Sequence, residues 1–477
     1  MSLFGSKRTV QPSPRPNTPS GEAAPARALP PLPAARPGAS SSEIRADAKA
    51  EARLEAMRLR NERRAQLHQD VIATVDLQEL AKMENSEARR MLADSCAATL
   101  ASTRNDIEMD EREALTIDIV NDILGLGPLE VLLARDDIAD IMINGPKTVF
   151  IEVRGKLQLT DVEFRDTDHL TQVCQRIAGQ VGRRVDESSP ICDARLLDGS
   201  RVAIVAKPIA LDGPCMTIRK FRKDKLTLEE LIQFGSISKQ AATLLELASN
   251  VKCNILISGG TGSGKTTLLN CLTRYIESDE SIITCEDAAE LQLQQPNVRR
   301  WETRPTNSEG KGEIKMEELV KAALRHRPDR IIIGEVRGPE AFDLLQAMNT
   351  GHDGSMGTVH SNSPREAVAR FSSLIAMGGK GLPAKQVLEQ IGTSIDIIVQ
   401  ASRMRDGSRK ITHISELCGL EEDTVVIQDL MVLEQDMSAS GHITYVHRVS
   451  GVPPRRFMDK AKQAGREKEL IRAMERN

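Results

Sequence analysis

A chain of 477 residues, 40% hydrophobic and 28% charged, is too long for one ordinary core, so two or three soluble domains are expected. A net charge of −4, a pI near 6.2 and 2% aromatic residues supply neither the basic footprint nor the stacking rings of a nucleic-acid binder. The eight scattered cysteines contain no C-x-x-C pair, so neither a zinc cage nor a disulfide framework is signalled and a reducing cytoplasm fits.

Residues 1–45 hold nine of the 22 prolines, with much Ala and Ser, and are expected to form a disordered leader. The opening, "MSLFGSKRTVQPSP", lacks the apolar core of a signal peptide, and no stretch approaches 18 consecutive apolar residues. Any contact with a membrane is therefore expected through partners. Over 46–105 the text is rich in Ala, Glu, Arg and Leu, as in "LQELAKMENSEARRMLADSCAATLA", which predicts a small helical bundle.

Between 106 and 222 the runs "IADIMIN", "TVFIEVRGKLQ" and "SRVAIVAKP" are separated by turn residues and enclose a helical "LTQVCQRIAGQVG". This predicts a modest α+β domain. A charged linker over 223–227 follows, and Thr227 with Glu230 forms a capping box for the next helix. From 228 to 477 apolar strands alternate with helices, beginning "NILISG", "TTLLNCLTRYI", "SIITCED" and "MEELVKAALR". That alternation predicts an α/β domain with a mostly parallel sheet covered on both faces. Past about 411 the strand signals weaken before a charged terminal helix.

The stretch "GGTGSGKTT" comprises Gly259, Gly260, Thr261, Gly262, Ser263, Gly264, Lys265, Thr266 and Thr267. It has P-loop spacing, follows an apolar strand and opens a helix, the context that the motif needs. Glycines let backbone N–H groups close around phosphate, and the helix N-terminus favours negative charge. Lys265 is expected on the β- and γ-phosphates of ATP, and the Thr266 hydroxyl on Mg²⁺.

Carboxylates should stand nearby. "RIIIGEVRG" puts Glu335 at a strand end, where it suits Mg²⁺ or the attacking water, and "IITCEDAAEL" puts Glu286 and Asp287 at another. Parallel strands aim their carboxyl ends at the ligand crevice, so either Glu286 or Glu335 could be the base, with Glu286 favoured. His360, ending "SMGTVH", is placed to donate to a γ-phosphate oxygen, and His352 is paired with it as a second phosphate sensor.

The ordered succession "GGTGSGKTT", "TCEDAAEL", "LRHRPDRIIIGEVRGPEA" and "TGHDGSMGTVHSNSP" resembles the secretion and pilus ATPases of type II and type IV secretion and of type IV pili. The resemblance extends over roughly 110–420, and "ETRPTNSEGKGEI" makes it closest to the tight-adherence (Flp) pilus branch. The four-cysteine zinc insertion of many type II members is absent.

The resemblance implies a RecA-like P-loop ATPase domain with a smaller N-terminal α+β (PAS-like) domain and a helical N-terminal extension. It also implies a homohexameric motor, peripheral at the inner face of the inner membrane, that acts on a polytopic platform protein to assemble a pilus. Whether such a motor also retracts the filament stays open. Arg195, Arg201 and Arg219 match the arginines by which the smaller domain completes the nucleotide site. Arg327 and Arg337 flank the third motif as candidates for ion pairs or catalysis. A type IV conjugation or effector-secretion ATPase is the alternative, and a nucleic-acid motor a weaker one.

Overall fold

A computed structural model describes residues 41–80, 82–103, 107–153, 155–221, 226–306, 310–379, 381–437 and 443–475. Most of the Pro-rich leader, residues 1–40, and residues 223–225 of the linker lie outside them. The chain divides into two compact units, Met1–Arg63 and Arg64–Asn477. In the first, the described residues 41–63 are helical, so helix begins within the leader rather than after it.

In the second unit, Leu67 and Val71 share a core with Leu92, Cys96 and Leu100 of the helix Asn85–Thr103 and with Leu115 and Ile119 of the helix Met109–Leu124. The i, i+4 spacing of these residues sets one apolar stripe on each helix. The helix Met109–Leu124 therefore packs with the preceding helices, although its sequence position falls in the expected α+β region.

Six strands follow: β1 (Ile138–Asn144), β2 (Val149–Val153), β3 (Lys156–Leu159), β4 (Ile191–Arg195), β5 (Arg201–Val205) and β6 (Cys215–Arg219). They form one antiparallel sheet in the order β3-β2-β1-β6-β5-β4. The helix Thr167–Gln180 covers it with Leu170, Val173, Cys174 and Ile177, and Asp166 caps the helix by accepting from the His169 N–H at 2.7 Å. Strands β4 and β6, "ICDAR" and "CMTIR", carry too few apolar residues to stand out in the sequence.

The second sheet contains β7 (Ile255–Gly259), β8 (Ile282–Glu286), β9 (Val298–Glu302), β10 (Arg330–Val336), β11 (Met356–Val359), β12 (Ile397–Arg403), β13 (Arg409–Glu421), β14 (Thr424–Met437) and β15 (Ile443–Val449). Their order is β15-β14-β13-β12-β7-β11-β10-β8-β9; the strands from β12 to β9 are parallel and the other pairings antiparallel. Every residue of β7, β8 and β11 is buried, as a sheet with two covered faces requires. Successive side chains serve opposite faces. Ile255 and Ile257 join the core beneath the helices Lys239–Asn250 and Lys265–Thr273, whereas Leu256 joins that of Glu340–Asn349 and Pro364–Met377. The terminal helices Arg456–Gln463 and Glu467–Ala473 bury Phe457 and Leu470 in the first of these cores. Among the described residues no helix is long and apolar enough to cross a membrane.

At the base of this sheet Arg330 is fully buried, with its Nε and Nη2 donating to the Glu280 carboxylate at 2.8 and 2.7 Å and its Nη1 to the Ser249 carbonyl at 2.8 Å. Burial disfavours the Glu280 charge, but Arg330 and Lys252 outweigh it and hold that carboxyl below its ordinary range. Removing one member of a buried pair strands the other. Arg330→Met is therefore expected to lower unfolding free energy by about 3–5 kcal/mol, read from urea melts.

Candidate functional site

Strand β7 lies between β11 and β12, and the chain leaves it for β8, on the far side of β10. The strand order thus reverses beside β7, and ligands of open parallel sheets sit at such a switch point, off the strands' carboxyl ends. There a cavity of about 850 Å³ opens, lined by the P-loop, by Glu286, Asp287, Glu335 and His360, and by Arg201 and Arg219 of the antiparallel sheet. Nine Lys and Arg against six Asp and Glu line its wall, a balance that suits a polyanion. Phe221, Leu226, Leu231, Phe234 and Ile411 form an apolar stretch of the same wall.

The loop's shape follows from its glycines. Gly262 and Gly264 have φ of 69° and 95°, left-handed values that side chains resist. A Cβ at Gly259 would overlap Ser263 Oγ and the Ala401 carbonyl oxygen, so only glycine lets the end of β7 pass β12. Lys265 opens the helix Lys265–Thr273 and curls back, its Nζ donating to the carbonyls of Gly259 at 2.9 Å and Gly260 at 3.1 Å. Burial pulls its pKa below that of an ordinary amine, with the Glu335 charge opposing. An arriving phosphate would favour the protonated form. Thr266 and Thr267 follow on the same wall.

Glu286 ends β8 and is 2% exposed. Its Oε2 accepts from the backbone N–H groups of Glu290 at 2.7 Å and Leu291 at 2.8 Å, while its Oε1 is buried with no hydrogen-bond partner. Burial raises its pKa, and the two N–H donors and the Arg300 charge only partly offset this. One oxygen is thus held by the backbone and the other is buried beside Thr284 without a hydrogen-bond partner. The register sets Cys285 against Ile333, bringing Glu286 beside Gly334, where a Cβ would lie 3.1 Å from Glu286 Cγ.

Glu335 pairs with Arg337 at 2.5 Å, and Arg337 also reaches Asp287 at 3.3 Å. Arg337 is thus an ion-pair bridge inside the cavity, while Arg327 turns the chain at φ 50° after a short 3-10 turn and does not line it. His360 follows Val359, which pairs with Ser258 of β7 and Val336 of β10. That register leaves His360 exposed on the cavity wall.

His352 is elsewhere. It precedes β11, at the opposite end of the sheet, and its Nδ1 lies 2.8 Å from the Pro328 carbonyl oxygen. The expected pairing of His352 with His360 is corrected: the two are not brought together, because the four residues of β11 separate them.

The three arginines divide as well. Arg201 and Arg219 line the cavity but are already paired, with Glu290 at 2.9 Å and Asp140 at 3.2 Å. Arg195 does not line it; its Nη1 meets Glu302 at 2.7 Å and its Nη2 donates to the Ala289 carbonyl at 2.8 Å. Sequence reasoning missed Arg403 and Arg409, which flank the β12–β13 turn on the cavity wall; Arg409 Nε donates to the Gly262 carbonyl at 2.9 Å. The basic run "SRMRDGSRK", directly after an apolar strand, was the available signal.

A family model described as type II/IV secretion system protein matches residues 122–420. A putative conjugal transfer protein of Mycobacterium tuberculosis is 37% identical over 302 residues, covering 62% of this chain and 85% of the relative. The type IV secretion system protein VirB11 of Bartonella quintana is 32% identical over 325 residues, covering 61% and 91%. Among solved structures, the VirB11 ATPase from the Brucella suis type IV secretion system, in complex with sulphate, aligns with 61% of this chain and 95% of its own at 27% identity and a TM-score of 0.33. The chain belongs to the type II/IV secretion system family, and it is an ATPase.

Proposed function

We propose that the chain is the hexameric motor of a tight-adherence type IV pilus, cytoplasmic and peripheral at the inner face of the inner membrane. It would work through a polytopic platform protein, with no nucleic-acid partner. The observation that carries the reading is one crevice holding Lys265, the buried carboxylate of Glu286 and the exposed ring of His360. The similarity of "ETRPTNSEGKGEI" to the tight-adherence branch supports the pilus assignment.

In this reading the P-loop residues from Gly259 to Thr267 bind ATP, and Lys265 sits on its β- and γ-phosphates. Glu286 Oε1 takes the proton of the attacking water. His360 donates to the γ-phosphate and loses that bond on hydrolysis. The Thr266 hydroxyl and, through water, Glu335 would hold Mg²⁺, and the hydroxyl and carboxylates on one wall fit such an ion. Mg²⁺ supplies charge neutralisation across the β- and γ-phosphates. The apolar stretch around Phe221 and Phe234 suits the adenine. Closure favoured by ATP and relaxed after hydrolysis would be passed to the platform, because a ligand drives motion only by binding one state better.

A second reading, a conjugation or effector-secretion ATPase, is favoured by the names of the relatives above. Phosphate release should be measured in vesicles carrying either the pilus platform protein or the conjugation channel components of the same cell. Stimulation by the platform alone supports the pilus motor, and stimulation by the channel alone replaces it with the second reading.

A further inference from the structure

Leu256, Val359 and Ile398 turn the same face of the parallel sheet into the core under Glu340–Asn349 and Pro364–Met377. Two residues past Ile398, Gln400 falls on that face, and it is 1% exposed. It stands opposite Ser258 of β7, fully buried, which in turn pairs with Val359, the residue before His360. Gln400 Nε2 donates to the Ser361 carbonyl at 3.3 Å, whereas Gln400 Oε1 and Ser258 Oγ are buried with no hydrogen-bond partner among the described residues. Leu or Met in place of Gln400 would fill the same core without a desolvated, half-paired amide. A polar group kept at such a cost points to work other than packing. The one group that this amide holds is the carbonyl just past His360. On the other side of His360, Thr358 Oγ1 donates to the Gly334 carbonyl at 2.7 Å. The backbone around the imidazole is thus fixed from β10 before it and from β12 after it.

We infer that Gln400 is a positioning residue: by holding the Ser361 carbonyl it fixes the strand end from which His360 reaches the γ-phosphate. The inference rests on the reading of His360 as the phosphate sensor and adds the residue that aims it. Ala401, the next residue of β12, lies against Gly259 at the start of the P-loop. Adjacent residues of one strand therefore meet the P-loop and the sensor turn, so the loop that grips phosphate and the ring that reads it keep their separation. Without the Gln400 amide the turn after His360 keeps its local bonds, from Ser361 Oγ to the Ser363 carbonyl and from the Glu366 N–H to Ser363 Oγ, both at 3.1 Å. It loses only its tie to β12.

The test is a double-mutant cycle of Gln400→Met and His360→Ala in the full chain, with kcat, the affinity for a fluorescent ATP analogue and the melting temperature measured for each. Gln400→Met is expected to lose about tenfold in kcat, within the ~10²-fold that a misplacement of ~1 Å can cost. Its nucleotide affinity should be unchanged and its melting temperature no lower than that of the wild type, because an apolar side chain of similar size replaces a half-paired amide. In the His360→Ala background Gln400→Met should cost nothing further. Gln400→Leu, apolar as well, should behave as Gln400→Met does. Wild-type turnover in Gln400→Met, losses that add to those of His360→Ala, or a fall in melting temperature that accompanies lost activity in both Gln400 variants would overturn the inference and leave the sensor reading intact. Wild-type turnover in His360→Ala would remove the sensor reading, and the inference with it.

Discussion

Glu286→Gln is expected to bind nucleotide as the wild type does and to turn it over about 10²–10⁴-fold more slowly, the range for loss of a general base. The amide keeps an oxygen for the N–H groups of Glu290 and Leu291, so the loop stays formed, but it cannot accept the proton of water. The wild-type pH profile carries the same signature. Burial holds the Glu286 pKa above the ordinary carboxylate range, and the base works only when ionised. Activity should therefore fall as pH drops through that raised pKa, earlier than an exposed glutamate would dictate. In Glu286→Gln this acid limb should vanish. Glu335→Gln should also retain nucleotide and stall, but with the acid limb in place, because Glu286 is untouched.

Lys265→Ala should damage both nucleotide binding and turnover. In the proposed reading its ammonium faces the transferring phosphoryl group, and loss of one such preorganised donor costs about 10²–10³-fold in turnover. Affinity should fall too, because the ammonium is partly desolvated already and regains stabilisation from phosphate charge. The substitution also leaves the carbonyls of Gly259 and Gly260 without their donor, which loosens the loop. Folding should survive, since the helix Lys265–Thr273 is anchored by Leu268, Leu269 and Leu272 in the core. An unchanged melting temperature beside lost activity is the expected result.

How much of this was legible in the sequence depends on how local each signal is. The P-loop was fully legible because one short run carries its glycines, its lysine and its strand–helix context. Glu286, Glu335 and His360 were legible because each ends an apolar run, and parallel strands bring such ends together. His352 lies near His360 in sequence and not in space, because β11 carries the chain across the sheet between them. The arginine pairs could not be read: Arg201 and Glu290 lie 89 positions apart, and Arg195 and Glu302 lie 107 apart. No local pattern encodes such partners. Strands β4 and β6 hid because Asp193, Thr217 and Arg219 interrupt their apolar residues. The strand signals of β13 and β14 are weak because charged residues recur along them.

The most direct measurement is steady-state phosphate release from ATP by the purified chain, across a series of protein concentrations, beside Lys265→Ala. The expected result is Mg²⁺-dependent release that rises per subunit as the chain assembles and is lost in the variant. Release by Lys265→Ala at the wild-type rate, or none from the wild type at any concentration, would contradict the assignment of this crevice as the site of ATP hydrolysis.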